Sequence, residues 1–334
     1  QSAASKGARL CNHAKVESFD ISGGRVEAAD VRDTLTGDTF RIRARAYLNA
    51  AGPWTDELLD RSDSTRNTTP GVYSRDACFV VPRKFSHDIA VAIMGQTRDP
   101  DAVMTRGGRS LFVVPWRKFS LIGTWHKVVP PRPDEVGIER DEVEAFIAEM
   151  HAAYPSLGLS TDEVTMCNWG LVPFGEDQHG GENLSYGKRS VLVDHADSEG
   201  PSNLVSLIGI RYTMGRGDSE WAMNLIARKL GDDRPAPGSD RYPLFGGDVQ
   251  DMSALESQVR ELLPAAVDDS AVSSVARSLG AAAPDFIQAS SEDTLRTLES
   301  SHVLDAQLRH AARHEMAMTL GDAIFRRTDL ASGG

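Results

Sequence analysis

The chain has no long apolar run, few cysteines and no excess of basic charge. A helix that spans a bilayer needs about 20 mostly apolar residues, and no such run occurs in the 334 residues. Cys11, Cys78 and Cys167 are odd in number and far apart, which favours a reducing compartment over a disulfide framework. The net charge of -12 argues against nucleic acid as a partner and against a membrane contact held by basic charge.

Several catalytic and metal-binding motifs are missing as well. No serine lies in a GxSxG turn. His310 and His314 stand four apart on a predicted helix, but without an HExxH motif or a neighbouring cysteine we expect no metal site. No GxGxxG follows a strand before Arg43, and Ser22–Gly24 is typical of a hairpin turn instead.

The composition is that of a globular protein, with 40% hydrophobic and 25% charged residues. A chain of 334 residues is long enough for two domains or three small ones. Residues 7–48 are predicted to form a β-meander that includes strands at Ala8–Cys11, Ala14–Phe19, Val26–Asp33 and Thr39–Leu48.

Short strands with short turns follow, which indicates a second, antiparallel sheet rather than βαβ units. They are predicted at Ala77–Pro82, His87–Met94, Ser110–Trp116 and Ser120–Thr124. Apolar residues at helical spacing predict a helix over Glu139–His151. Strands at Lys188–Asp194 and Asn203–Ile208 precede a helix at Ser219–Leu230, and Val249–Leu330 is helical in pattern.

The segment from Arg43 to Leu59 organises the chain. An apolar strand stops at the sequence NAAGPW, and an amphipathic helix is predicted to begin near Pro53. Gly52 has no Cβ that would keep a ligand away, and a helix start with unpaired N–H groups suits a phosphate. The pattern therefore predicts either a ligand-binding turn or an ordinary strand-to-helix turn.

Three further segments occur in order along the chain: RSLFVVPW with SLIGTWHK, PSLGLSTDEV, and LVSLIGIRYTMGR. The end of the chain reads HEMAMTLGDAIFRRTDL. Together with NAAGPW, these segments resemble the FAD-dependent glycerol-3-phosphate dehydrogenases of the amino-acid-oxidase-like flavoprotein superfamily. The resemblance spans nearly the whole chain, except that the family's N-terminal GxGxxG unit has no match.

The resemblance implies that FAD is the cofactor. Residues expected to hold it are Val16, Asn49, Ala50, Ala51, Gly52, Pro53, Trp54, Gly209, Ile210, Arg211, Tyr212 and Thr213. Arg211 and Arg109 are expected to bind the substrate, and His126 is a candidate base for its hydroxyl proton. No metal is expected.

Two positions depart from the family pattern on the substrate side. Val172 stands where the family has an arginine, and Cys78 stands where it has a histidine, whereas Arg211 keeps the charge of a family lysine. An arginine that meets a phosphate makes a charge-assisted contact of roughly 1.5–3 kcal/mol. A related hydroxyl- or amine-bearing substrate is therefore at least as plausible as glycerol 3-phosphate.

The resemblance implies hydride transfer from a hydroxyl-bearing carbon of a small anionic substrate to flavin. The alternatives are an amine or amino-acid oxidase of the same superfamily and a non-enzymatic homologue. We also expect a quinone or another electron acceptor. The expected location is cytoplasmic, with a possible peripheral contact at the inner face of a membrane.

The predicted fold class is α/β plus α+β. We expect the remainder of a Rossmann-like FAD-binding domain in residues 1–69 and an antiparallel-sheet substrate domain in residues 70–168. Return strands and a helix of the FAD and substrate core follow in residues 169–232. A linker over residues 233–247 then leads to a C-terminal helical domain in residues 248–334.

Overall fold

The computed structural model describes residues 1–62, 73–85, 88–96, 110–129, 133–173, 190–232 and 238–331. The chain forms two compact units. One unit comprises His13–Ser239, and the other combines Gln1–Asn12 with Asp240–Gly334. Within the described ranges, no helix is long and apolar enough to cross a bilayer.

The described residues contain eleven strands in three sheets. The strands are β1 (Ala14–Ser22), β2 (Arg25–Asp33), β3 (Thr39–Ile42), β4 (Tyr47–Asn49), β5 (Tyr73–Val81), β6 (Val91–Met94), β7 (Ser110–Trp116), β8 (Phe119–Val129), β9 (Met166–Pro173), β10 (Val191–Asp194) and β11 (Leu204–Ile208). The sheet orders are β1-β2-β3, β10-β11-β4 and β6-β7-β8-β5-β9.

The described α-helices are short except for two of 14 and 15 residues, α3 and α4. They are α1 (Ser2–Ser5), α2 (Thr55–Asp60), α3 (Arg140–Ala153), α4 (Gly215–Lys229), α5 (Met252–Leu262), α6 (Asp269–Leu279), α7 (Ala283–Ala289), α8 (Asp305–His314) and α9 (Leu320–Asp322). A π-helical turn at Ala323–Arg327 follows α9.

The first sheet is the predicted meander, with two corrections. Gly23 and Gly24 both have positive φ and close the β1–β2 hairpin, as the Ser22–Gly24 pattern predicts. No strand forms at Ala8–Cys11, whose residues are exposed. The segment predicted as one strand, Thr39–Leu48, is divided between β3 of the meander and β4 of another sheet.

The five-stranded sheet is antiparallel throughout, as the sequence predicts. Because side chains alternate along a strand, β5 directs Ala77, Phe79 and Val81 to one face, where α3 covers them. The rings of Phe79 and Phe146 lie 4.6 Å apart between their centroids. The helix predicted at Glu139–His151 is α3, displaced by one residue at its start and two at its end.

A buried ion pair attaches α3 to this sheet. The guanidinium of Arg75, only 1% exposed, makes a bidentate contact with Glu142 at 2.8 and 3.0 Å. Lys127 Nζ lies 3.3 Å from the same carboxylate. The hydrogen bonds from Arg75 lower the pKa of Glu142 to about 2, so the carboxylate is charged at neutral pH.

The sheet β10-β11-β4 is mixed. β4 runs parallel to β11, with Tyr47, Leu48 and Asn49 opposite Leu204, Val205 and Ser206. β10 runs antiparallel to β11. The pair of β4 and β11 is the only parallel pair among the strands that the structure describes.

The C-terminal unit is helical, as predicted from Val249 onward, and α5 to α8 enclose one apolar core. A close backbone contact holds the segment before α5 against the residues that follow α6. Gly280 has φ +55°, and a Cβ there would lie 1.9 Å from the carbonyl oxygen of Gly246. Glycine at position 280 is therefore required by both the backbone conformation and the lack of space.

We expect Arg75→Met to lower the free energy of unfolding by about 3–5 kcal/mol, because it leaves the Glu142 carboxylate buried without its partner. The double variant Arg75→Met/Glu142→Leu removes both charges and should recover most of that loss. Urea denaturation of the two variants and the wild type measures the difference. A double variant that is as unstable as Arg75→Met would show that the ion pair is not what the sheet requires.

Candidate functional site

The turns after β4 and β11 lie at one edge of the mixed sheet. Because these two strands are parallel neighbours, their carboxyl ends point the same way. The turn Asn49–Trp54 follows β4, and the turn Gly209–Thr213 follows β11. The carboxyl edge of neighbouring parallel strands is where α/β sheets commonly bind ligands. The structure thus brings together the two segments that the sequence singles out for FAD.

Asn49 fixes the first of these turns. Its side chain is 3% exposed. Its amide donates to the carbonyl of Thr55 at 3.3 Å, and its Oδ1 accepts from the N–H of Ala51 at 3.2 Å. Asn49 therefore stabilises the backbone conformation of the turn. Its side-chain amide is directed into the protein and away from solvent.

Gly52 is required by conformation. Its φ of +59° is a left-handed value that favours glycine, and a Cβ built there meets no described atom within 4 Å. A 3₁₀ turn, Gly52–Trp54, comes next, and the α-helix begins only at Thr55. The predicted helix start near Pro53 is thus wrong by two residues, and α2 has only six residues.

A cavity of about 760 Å³ adjoins this turn. Val16 from β1 and the small side chains of Ala50 and Ala51 line it together with Leu48 and Trp54. Its volume is within the range of ligand pockets. The cavity therefore brings Val16, predicted to lie against the cofactor, to the same place as the turn after β4.

The second turn is exposed. Gly209 and the segment Arg211–Thr213 lie at the surface, and the Tyr212 side chain is fully accessible. The helix α4 begins at Gly215, four residues before the predicted start. In its first turn, the buried Asp218 carboxylate accepts a hydrogen bond from Ser190 Oγ at 2.5 Å. This contact ties the helix start to the residue that precedes β10.

The face of the five-stranded sheet that lies away from α3 carries polar groups. Ser74, Asp76 and Cys78 alternate with the side chains that face α3. Ser74 Oγ donates to Asp76 Oδ1 at 2.7 Å. His126 on β8 is directly opposite Asp76 in the strand register, so both side chains leave the same face. We call Ser74, Asp76, Cys78 and His126 the open-face cluster, because α3 does not cover this face; Ser74 itself is fully buried.

Sequence reasoning singled out His126 and missed Asp76 and Ser74. The alternation of side chains along β5 could have identified them, because Arg75, Ala77 and Phe79 all face α3. Once those three are assigned to the covered face, the residues between them must share the opposite one. Val172 of β9 is opposite Ser74 and lies on that face too.

The five-stranded sheet adjoins the turn after β4. The 3₁₀ turn Gly52–Trp54 contacts both β9 and β11. The hydroxyl of Tyr73, at the start of β5, lies 3.5 Å from the carbonyl oxygen of Pro53. The parallel-strand edge and the five-stranded sheet are therefore in contact within the same unit.

Cys78 lies at the far end of this cluster, against Gly123 of β8. A Cβ at position 123 would lie 2.8 Å from the Cys78 Sγ, so the glycine makes room for the sulfur. Burial raises the pKa of the Cys78 thiol, and a hydrogen bond with Thr124 opposes the shift. The thiol is therefore protonated at neutral pH and is a poor nucleophile. Arg109, the second predicted substrate contact, lies outside the described residues.

Comparison with known proteins gives two family matches. The family described as FAD dependent oxidoreductase matches residues 1–212. The family described as C-terminal domain of alpha-glycerophosphate oxidase matches residues 238–333. The order of the two matches is the order of the sheet-containing and helical units.

Curated relatives cover nearly the whole chain. A mitochondrial glycerol-3-phosphate dehydrogenase of Arabidopsis thaliana is 27% identical over 98% of the chain and 52% of its own length. A glycerol-3-phosphate dehydrogenase of Synechocystis is 26% identical over 99% of the chain and 60% of its own length. The chain thus spans between half and two thirds of the length of these relatives.

A solved structure shows the same fold. The glycerol-3-phosphate dehydrogenase from Bacillus halodurans, complexed with FAD, aligns with a TM-score of 0.73 at 23% sequence identity. The alignment covers 98% of this chain and 62% of that protein. The predicted α/β plus α+β fold with a helical C-terminal domain is confirmed.

We expect Cys78 to react with a thiol reagent at pH 8 at least about tenfold more slowly than Cys11, because burial raises the pKa of the Cys78 thiol whereas Cys11 is exposed. Two variants that each keep a single cysteine, Cys11→Ser/Cys167→Ser and Cys78→Ser/Cys167→Ser, separate the two rates. Equal rates in the folded proteins would contradict the buried, protonated thiol.

Proposed function

The chain belongs to the FAD-dependent oxidoreductase family, and from that we propose that it forms part of a flavoenzyme of the glycerol-3-phosphate dehydrogenase type. The proposed reaction is oxidation of a hydroxyl-bearing carbon in a small anionic substrate. The observation that carries the proposal is the common edge of β4 and β11, where the turns Asn49–Trp54 and Gly209–Thr213 both begin. The names of the relatives support the same reaction class.

The small side chains at this edge suit a dinucleotide cofactor. The cavity beside the first turn is large enough for part of such a ligand and is lined by side chains as small as Ala50 and Ala51. Val16, the turn Asn49–Trp54 and the turn Gly209–Thr213 would hold FAD. When bound, the flavin supplies the hydride acceptor, and the protein supplies binding, orientation and proton handling.

Arg211 is the proposed anion contact. It stands at the N-terminal end of the 3₁₀ turn that precedes α4, and its side chain is exposed. A guanidinium can make a bidentate contact with a phosphate or carboxylate. We propose Arg109 as a second contact of the same kind, from its match to the family pattern.

His126 is the proposed acceptor of the substrate hydroxyl proton. It leaves the open face of the sheet, opposite the Asp76 carboxylate. An imidazole nitrogen can accept a proton from a substrate hydroxyl that lies within hydrogen-bond reach. Ser74 orients that carboxylate through the 2.7 Å hydrogen bond.

The open face also bears on the choice of substrate. Val172 gives this face a hydrocarbon side chain beside Ser74, and Cys78 offers a neutral thiol. Neither side chain carries a positive charge that would attract an anion. A phosphate on the substrate would therefore depend on Arg211 and Arg109, and glycerol 3-phosphate or a related hydroxy compound remains the proposed substrate. An amine or amino-acid oxidase, or a homologue without flavin chemistry, has no better support.

We also propose a quinone or another electron acceptor, and a cytoplasmic location with peripheral contact at the inner face of a membrane. The support for these points is the resemblance to the family. Fractionation of cells into soluble and membrane pools tests the location directly.

We expect Arg211→Met in the complete enzyme to raise the substrate KM at least about tenfold, because it removes a charge-assisted contact. Arg228→Met is the matched control, since it removes the same charge from an exposed position near the other end of α4. Steady-state kinetics with an artificial electron acceptor measures both. Unchanged KM and turnover in Arg211→Met would remove Arg211 from the substrate site.

A further inference from the structure

The C-terminal unit holds a small polar cavity that the proposed reaction does not use. Its volume is about 180 Å³. Three segments line it: α6, the start of α8 with one residue that precedes it, and the π-helical turn with the two residues that follow it. The polar lining residues are Ser274, Ser278, Gln307, Arg326, Arg327, Thr328 and Asp329.

One wall offers neutral hydrogen-bond donors. Ser274 and Ser278 lie four residues apart on α6, so their hydroxyls share one face of the helix. Gln307 is 9% exposed, and its Oε1 accepts from the N–H of Leu304 at 2.9 Å. This bond fixes the side chain and leaves the amide nitrogen as its remaining donor group.

The other wall carries the charge. Arg326 is committed to Asp322, 3.1 Å away. Arg327 makes no ion pair with any residue that the structure describes. Both arginines belong to the π-helical turn Ala323–Arg327, and such turns occur frequently at functional sites.

The cavity also contains one carboxylate. Asp329 lies beside Arg327 in the chain, and its Oδ2 is 4.0 Å from His302 Nε2. A carboxylate in an anion site repels a fully deprotonated oxyanion but accepts a hydrogen bond from one that keeps a proton. Thr328 Oγ1 donates to the carbonyl of Ala323 at 2.8 Å, so the threonine oxygen can only accept further.

We propose that this cavity binds a phosphate group that retains a proton, held by Arg327, Ser274, Ser278 and Gln307, with Asp329 accepting its O–H. Sulfate has nearly the same size and charge but carries no proton at neutral pH, so Asp329 selects against it. The phosphate can be a free ion or the headgroup of a phosphomonoester lipid. Phe325, which is 66% accessible, directly precedes the two arginines, and Leu320 of α9, which is 74% accessible, lies a few residues earlier in the chain. These exposed apolar side chains suit the second source.

The test is calorimetric titration of the complete protein with inorganic phosphate and with sulfate at pH 7. The wild type should bind phosphate at least about tenfold more tightly than sulfate. Arg327→Gln should weaken phosphate binding at least about tenfold, because it removes the charged donor. Arg313→Gln, an exposed arginine of α8 outside this cavity, is the matched control and should bind as the wild type does.

Asp329→Asn tests the selectivity. The amide can donate as well as accept, so sulfate should bind this variant nearly as well as phosphate. Ser274→Ala/Ser278→Ala keeps every charge and should weaken phosphate binding, which provides a second test if Arg327→Gln fails to fold. Sedimentation with phosphatidylcholine vesicles, with and without phosphatidic acid, separates a lipid headgroup from the free ion.

If the wild type binds vesicles that contain phosphatidic acid and Arg327→Gln does not, the site is supported and the phosphate group is that of a lipid. Equal affinity of the wild type for phosphate and sulfate would mean an adventitious ion only. Full phosphate affinity in Arg327→Gln, or no binding to either phosphate or vesicles, would overturn the proposal. These readouts do not depend on flavin or turnover.

Discussion

The parallel pairing of β4 with β11 is the contact on which the candidate site depends. Three residues of β4 meet three of β11, although the two strands lie far apart in the chain. Their common direction places two separate turns at one sheet edge, and Asn49 then holds the first turn in shape through its two buried hydrogen bonds. Without this pairing, the two segments that resemble a flavin site would not lie side by side in the fold.

The five-stranded sheet serves the site by separating two environments. Adjacent residues of β5 have opposite roles: Arg75 binds Glu142 beneath α3, whereas Asp76 faces His126 on the open side. Burial of the ion pair fixes the sheet against the helix, and the register then places the polar groups of the open face. The 3₁₀ turn at Gly52–Trp54 contacts β9 of this sheet, which joins the two parts of the site.

Elements with strong local patterns could be predicted from the sequence, and those set by distant pairing could not. Helix α3 and strand β7 follow from their apolar spacing. The division of Thr39–Leu48 could not be foreseen, because Tyr47 pairs with Leu204 rather than with the meander. The segment Gly215–Asp218 joins α4 despite two glycines, because Asp218 is anchored by Ser190. Asp76 escaped notice since its importance depends on the register with β8.

The measurement that tests the account most directly is the absorbance spectrum of the purified complete protein, before and after addition of FAD. The account predicts flavin bands, and it predicts that anaerobic glycerol 3-phosphate or a related hydroxy compound bleaches them. No flavin bands, even after reconstitution with FAD, would contradict the claim that the edge formed by β4 and β11 holds this cofactor.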